Sequence, residues 1–349
     1  MSERALATIR VIDAIDPIEG ADAIEVATVG GWKVVVKKGE YKAGDQAVYL
    51  EIDSWVPHHV AEFLSKGQEP REYNGVKGER LKTVKLRGQV SQGLLLPLGV
   101  LPHSLGFGFA ANEGEDVTHW LNIQKWERPM SPQMAGVARG NFPSFIQKTD
   151  EERIQNLTKY FDAYRDKYHW EISEKLEGSS MTSFHRMVEG EVDTGVCSRR
   201  INLKETEDNT FWQVARKYDL INKLTAHGLN IALQGELIGP GIEGNIYGLK
   251  DYEFRLYNVY DINTASYWSQ DDRLALAKEL DILTVPVIAY GVNLLDSLGI
   301  STVAQILQFA EGKSKLADVE REGLVFKCIE DPNISFKAIS NKYLLKSGN

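Results

Sequence analysis

Over the first 130 or so residues, apolar and polar positions alternate in short runs: ALATIRVIDAI, IEVATV, WKVVVKK, QAVYLEI, RLKTVKL and QGLLLPL. A period of two over four to eight residues predicts half-buried strands. Turn-forming residues punctuate them at EGAD, GG, KKGEYKAGD, YNGVKG and RGQVSQG, and no long helical period intervenes. Five or six strands closing into a small barrel fit this half.

The rhythm changes between residues 126 and 148, where WERPMSPQMAGVARGNFPSFIQK is rich in Pro, Gly, Ser and Met and reads as a connector. Thr149 and Glu152 then have capping-box spacing, and Ile154, Leu157 and Phe161 follow at helical intervals, predicting a helix from TDEERIQNLTKYFDAY. Beyond it the pattern is mixed. WQVARKYDLINKLTAHG, ending at Gly228, and DDRLALAKELDI read as helices; NIALQGELIG, FRLYNVYDI and EGLVFKCI read as strands. The expected division is therefore 1–130, a connector at 131–148, and a second domain at 149–349. Neither a dinucleotide fingerprint nor a Gly-x-x-x-x-Gly-Lys-Ser/Thr phosphate loop is present.

A chain of 349 residues can bury a core in each of two domains. No apolar run is long enough to span a membrane, and MSERALATIRVID has charges where a secretory signal needs an apolar centre, so the expectation is a cytoplasmic protein. Cys197 and Cys328 are then expected to be free, and metal-ligand spacing of the zinc type is absent. A net charge of −9 argues against nonspecific coating of nucleic acid but leaves room for local basic grooves. The run 73–88 carries Lys77, Arg80, Lys82, Lys85 and Arg87 against Glu79 alone. It is either the solvated outer face of a strand pair or a surface that tracks phosphates.

The chain contains Lys-x-x-Gly twice, at Lys85 to Gly88 and at Lys175 to Gly178. Chance alone supplies about one or two copies in a chain this long, so the pattern matters only through its company. After Lys175 come Ser198-Arg199-Arg200, Gln234-Gly235-Glu236, Tyr257, Glu322-Gly323-Leu324-Val325-Phe326-Lys327 and Ser335-Phe336-Lys337. In this order the elements resemble those of the covalent nucleotidyltransferase superfamily of polynucleotide ligases and capping enzymes. The barrel-like half precedes them and twelve residues follow Lys337. That order, with FPSFIQKTDEERIQNL and SFKAISNKYLLK, resembles the nick-sealing RNA ligases with an N-terminal oligonucleotide/oligosaccharide-binding (OB) module.

The resemblance implies an α+β chain in which an OB-like barrel precedes an adenylyltransferase domain of antiparallel sheets with flanking helices. It implies ATP as substrate, Mg2+ or Mn2+ as cofactor, and Lys175 as the nucleophile that takes AMP. Lys327 and Lys337 would stabilise the phosphates. Glu174, Gly178, Arg199, Glu236 and Tyr257 would bind nucleotide, with Tyr260 the alternative stacking aromatic. Glu177, Glu236 and Glu322 would hold the metal, mostly through water. The implied partner is nicked duplex RNA or an RNA/DNA hybrid, engaged by a monomer with no membrane association, and Lys82, Lys85 and Arg87 are the candidate phosphate contacts. A lysine attacks only when neutral, and its ordinary pKa of about 10.4 leaves it protonated at pH 7. Lys327, Lys337 and the metal are therefore expected to depress the pKa of Lys175. The sequence departs from the family at Glu177, often aspartate, at Arg200, usually asparagine, and at Ser335, where many relatives have lysine. A DNA ligase, a capping-type enzyme and a noncatalytic RNA-binding relic are the rival readings.

Overall fold

A computed structural model describes residues 4–101, 112–127 and 137–347. The chain divides into two compact units, Met1–Pro129 with Leu344–Asn349, and Met130–Tyr343.

The first unit is built of short strands. Ala7–Val11, Gln46–Leu50 and Leu94–Leu96 form one sheet, and Ala14–Pro17, Ile24–Val29 and Trp32–Lys37 another. A third is ordered Gln124–Lys125, Ser54–Pro57, Val76–Arg80, Arg71–Tyr73. The alternation read from WKVVVK is realised: Trp32, Val34 and Val36 are buried while Lys33 and Lys37 are exposed. More strands form than the five or six expected. Ser54–Pro57 and Arg71–Tyr73 are too short and too proline-rich or charged to show a period.

Two sheets make the second unit. In the larger, the order is Ala138–Asn141, Ile201–Leu203, Glu191–Ser198, Ser179–Val188, Ile231–Ile238, Glu253–Asp261, Ser266–Tyr267. Because side chains alternate across a strand, Met181, Leu233 and Leu237 face one way. They pack with Phe211, Val214, Leu220 and Leu224 of the helices Thr210–Lys217 and Leu220–His227. The predicted helix thus breaks in two at Asp219, which has φ +54°, and ends at Gly228 as expected. Ser180, Thr182, Gln234 and Glu236 fall on the opposite face.

The smaller sheet is ordered Glu152–Arg153, Ser335–Ile339, Gly323–Cys328, His169–Lys175, Val287–Asn293. Trp170, Ile172, Leu324, Phe326, Phe336 and Ala338 form its buried apolar face. By register, the other face pairs Glu171 with Lys327 and Ser335, Ser173 with Val325 and Lys337, and Lys175 with Gly323 and Ile339. Both cysteines are free and buried.

One expectation fails here. Thr149 caps no helix: Glu152–Arg153 is a short strand, Ile154–Asn156 and Thr158–Tyr160 are single 3-10 turns, and the α-helix covers only Phe161–Asp166. Of the segment read as connector, 131–136 lies outside the described residues, while Ala138–Asn141 is a strand paired with Ile201–Leu203.

Candidate active site

Lys175 ends its strand with a side chain 28% exposed, and its Nζ donates to Glu322 Oε1 at 2.7 Å. The following glycine explains half of the Lys-x-x-Gly motif. A Cβ on Gly178 would lie 2.6 Å from Leu237 O and 2.8 Å from Glu236 Cγ, far inside contact distance. Glycine lets the chain cross to the Ser179 strand directly beside Glu236. At Gly88, by contrast, a Cβ would meet nothing within 4 Å; φ +85° there, after φ +48° at Arg87, makes the turn of the hairpin Val84–Leu86/Gln89–Ser91. The two copies of the motif serve different geometry.

The protein's own groups act opposite to one expectation, in which the metal also had a part. Burial pushes the Lys175 amine down, but Glu322, Glu236 and Glu151 outweigh it and the net shift is upward. Lys327 and Lys337 are each engaged elsewhere. Lys327 Nζ donates to Tyr257 O and Asn258 Oδ1, and Lys337 Nζ donates to Asp150 Oδ1 at 3.1 Å. The lysine with a depressed pKa is Lys327 itself, pushed down to about 7 by burial and by Arg273. Glu236 is pushed up to about 8 by burial, with Glu322 and Glu151 adding to the rise and Lys175 opposing it.

Tyr257 lies at the irregularity where its strand shifts register between Gln234 and Gly235. Its hydroxyl lies 3.1 Å from both Thr149 Oγ1 and Ser180 Oγ. Its carbonyl also accepts from Arg273 Nη1 at 2.7 Å, while Arg273 Nη2 pairs with Glu171 at 2.6 Å, both side chains being buried. The tyrosine is therefore fixed at both ends. Tyr260 is 5% exposed and packs with Phe184, Cys197 and Ala232, so it is a core residue.

The remaining residues separate. Arg199 shares Asp150 with Lys337, its Nη2 lying 3.4 Å from Asp150 Oδ2. Glu177 Oε1 accepts from Gly244 N at 3.2 Å, and the carboxylate also bonds Tyr343. Its carboxylate is held by these partners, whereas Glu236 and Glu322 both act on the Lys175 amine. Glu174 is buried on the face opposite Lys175, where Oε2 accepts from Lys315 N at 2.7 Å. Among the described residues no three His, Cys, Asp or Glu side chains stand close enough to ligate a metal directly. Sequence reasoning misses Thr149, Asp150 and Glu151, which it assigns to a helix start. It also misses Glu171 and Arg273; the alternation of Glu171, Ser173 and Lys175 along one strand is the available signal for the former.

In the first unit Lys77 pairs with Glu69 and Arg80 with Asp53. Lys82, Lys85 and Arg87 are exposed and have no acidic partner among the described residues. The run thus splits into neutralised and unneutralised cations.

Comparison with known proteins extends these observations. Residues 168–343 match the RNA ligase family and residues 6–98 an OB-fold domain. The structure is similar to that of an apo lysine-to-alanine mutant of Naegleria gruberi RNA ligase, 43% identical, with a TM-score of 0.88 and coverage of 98% of each chain. It is similar also to a glutamate-to-alanine mutant of that ligase with ATP and Mn, 42% identical at a TM-score of 0.88, covering 99% of this chain and 100% of the other. No curated protein sequence matches significantly. Identity above two-fifths over nearly the whole of both chains, with the family match across the unit that contains Lys175, makes this chain a member of the RNA ligase family.

Proposed function

We propose that the protein is an ATP-dependent ligase that seals 3′-OH/5′-phosphate nicks in duplex RNA or RNA/DNA hybrids through a lysyl-AMP intermediate. The observation that carries this reading is the placement of Lys175, whose side chain is partly exposed and whose Nζ is 2.7 Å from Glu322, on the sheet face that also presents Lys327 and Lys337. The amine attacks the α-phosphorus of ATP, forming an N–P bond as the bond to the bridging oxygen breaks and pyrophosphate leaves. AMP then passes to the 5′-phosphate of the nick, and attack by the 3′-OH seals the strand and releases AMP. Negative charge grows on phosphate oxygens in the first step, and Arg199, Lys327 and Lys337 are the cations suited to offset it. The fixed Tyr257 ring is the candidate for stacking on adenine.

The donor set fits a hydrated divalent cation. Glu236, Glu322 and Glu151 all act on one ammonium, and the upward shift of Glu236 to about 8 comes first from burial, with Glu322 and Glu151 adding to it. Glu236 and Glu322 would hold the ion through water, as suits oxygen ligands and Mg2+ or Mn2+. Glu177 would take part only by leaving Gly244. When bound, the ion supplies positive charge that favours a neutral amine and stabilises the α-phosphate oxygens.

The test is a covalent adduct formed with α-labelled ATP and either metal. Lys175→Ala should abolish it while leaving the melting temperature within a few degrees of wild type, since removal of this partly exposed side chain opens no core cavity. An adduct at wild-type yield in the variant would move the nucleophile elsewhere. No adduct in the wild type would favour a noncatalytic relic.

A further inference from the structure

Gln234 stands on the same strand face as Glu236, two residues away, and is 1% exposed. Its amide orientation is fixed, because Nε2 donates to Gln147 O at 2.7 Å and a carbonyl can be served only by the NH2 end. Oε1 therefore points away from Gln147. It has no hydrogen-bond partner among the described residues. Buried acceptors are rarely left unpaired in folded proteins, so such an atom calls for a donor.

Gln234 lines a cleft with Phe142, Lys148, Thr149, Ser180, Thr182 and Arg199. Three of these are hydroxyls and two are cations, so the lining suits a ligand that brings a hydroxyl donor to one end and an anionic group to the other. A carboxylate in place of Gln234 would repel such an anion. The amide oxygen accepts a hydrogen bond without adding charge. A ribose has this chemistry, with hydroxyls that both donate and accept and a phosphate a few bonds away. We propose that Gln234 Oε1 accepts a hydrogen bond from a ribose 2′-hydroxyl, so that this cleft distinguishes ribonucleotides from deoxyribonucleotides. The proposal deepens the ligase reading above and rests on it. Two ribose sources share the chemistry, the ATP molecule and the 3′-terminal nucleotide of the strand to be joined.

The test compares ratios in two arms. One measures self-adenylation with ATP against 2′-deoxyATP; the other measures sealing, at saturating ATP, of nicks ending in a 3′ ribonucleotide against a 3′ deoxyribonucleotide. A single buried hydrogen bond predicts a preference of roughly tenfold for the ribose in one arm, and that arm identifies the source. Gln234→Leu should reduce the preference to within about twofold, and Gln234→Met, unbranched and of similar length, repeats the measurement if the first variant packs poorly. Equal use of ribose and deoxyribose by the wild type in both arms would overturn the proposal, as would a preference that survives in a folded variant. Failure of the wild type to adenylate with ATP itself would count instead against the ligase reading, since each arm is a ratio within one activity.

Discussion

The state of the Lys175 amine is decided by its immediate neighbours. In the resting protein, Glu322, Glu236 and Glu151 hold it as an ammonium against the penalty of burial, so the barrier to its use as a nucleophile is loss of a proton from an ion pair. Glu322→Gln removes the first of the carboxylates opposing that burial. The pKa of Lys175 should fall, and labelling of the amine by a small acylating reagent, followed across pH by mass spectrometry, should begin at lower pH than in wild type. Self-adenylation should drop in the same variant if Glu322 also orders the metal; an unchanged labelling profile would show that Glu322 does not control the proton. Glu236 makes a separate prediction about stability. Its folded-state pKa of about 8 lies above the ordinary value of 4.5, so between those values the native state keeps a proton that the unfolded chain has released. Stability from this group is complete below the lower value and is lost as pH rises through the upper one. Glu236→Gln should remove that slope, and its melting temperature without nucleotide should gain progressively on wild type between about pH 4.5 and 8. Parallel curves would show that the carboxyl is already ionised in the native state.

Strands and their crossings carry the positional information. Gly178 sits where the chain leaves the Lys175 strand and passes the Glu236 strand, and a methyl group there would strike the Leu237 carbonyl at 2.6 Å. Gly178→Ala should destabilise the protein by about 2 kcal/mol, within the range for overpacked sites. It should also impair adenylation, because relief of the clash displaces one of the two strands. A denaturation midpoint equal to wild type would show that the crossing has slack. The predicted strands around Glu236, Tyr257 and Lys327 form as read, because their branched or aromatic residues pack on the covered faces. The reading of Thr149 as a helix cap fails for a physical reason. Its spacing to Glu152 is compatible with a capping box, but its hydroxyl lies 3.1 Å from that of Tyr257, 108 residues away. Local propensity carries no trace of such a pairing. The orientation of Glu177 is equally hidden in the sequence, since it depends on Gly244 and Tyr343, while the ordered series from Lys175 to Lys337 is legible because chemistry fixes those residue types.

At the scale of the whole molecule, the difficulty is that a chain of net charge −9 must hold a polyanion. Affinity for a duplex comes largely from cations that replace counterions on phosphates, so the useful groups are those not already neutralised by the protein. Lys82, Lys85 and Arg87 meet that condition. Lys85 and Arg87 belong to a hairpin whose strand Val84–Leu86 is exposed throughout; Lys77 and Arg80 are occupied by Glu69 and Asp53. Replacing Lys82, Lys85 and Arg87 together by alanine in the full chain should weaken nick binding and flatten its dependence on salt, by roughly one unit of log–log slope for each phosphate that the variant no longer neutralises. Sealing at low RNA concentration should fall with it. Adduct formation with ATP involves no RNA, so its yield should stay near wild type, separating a defect in RNA capture from a defect in folding. Binding isotherms at several salt concentrations decide the matter: an affinity and slope equal to those of the parent would make the three cations a solvated hairpin face and leave the duplex grip to other residues.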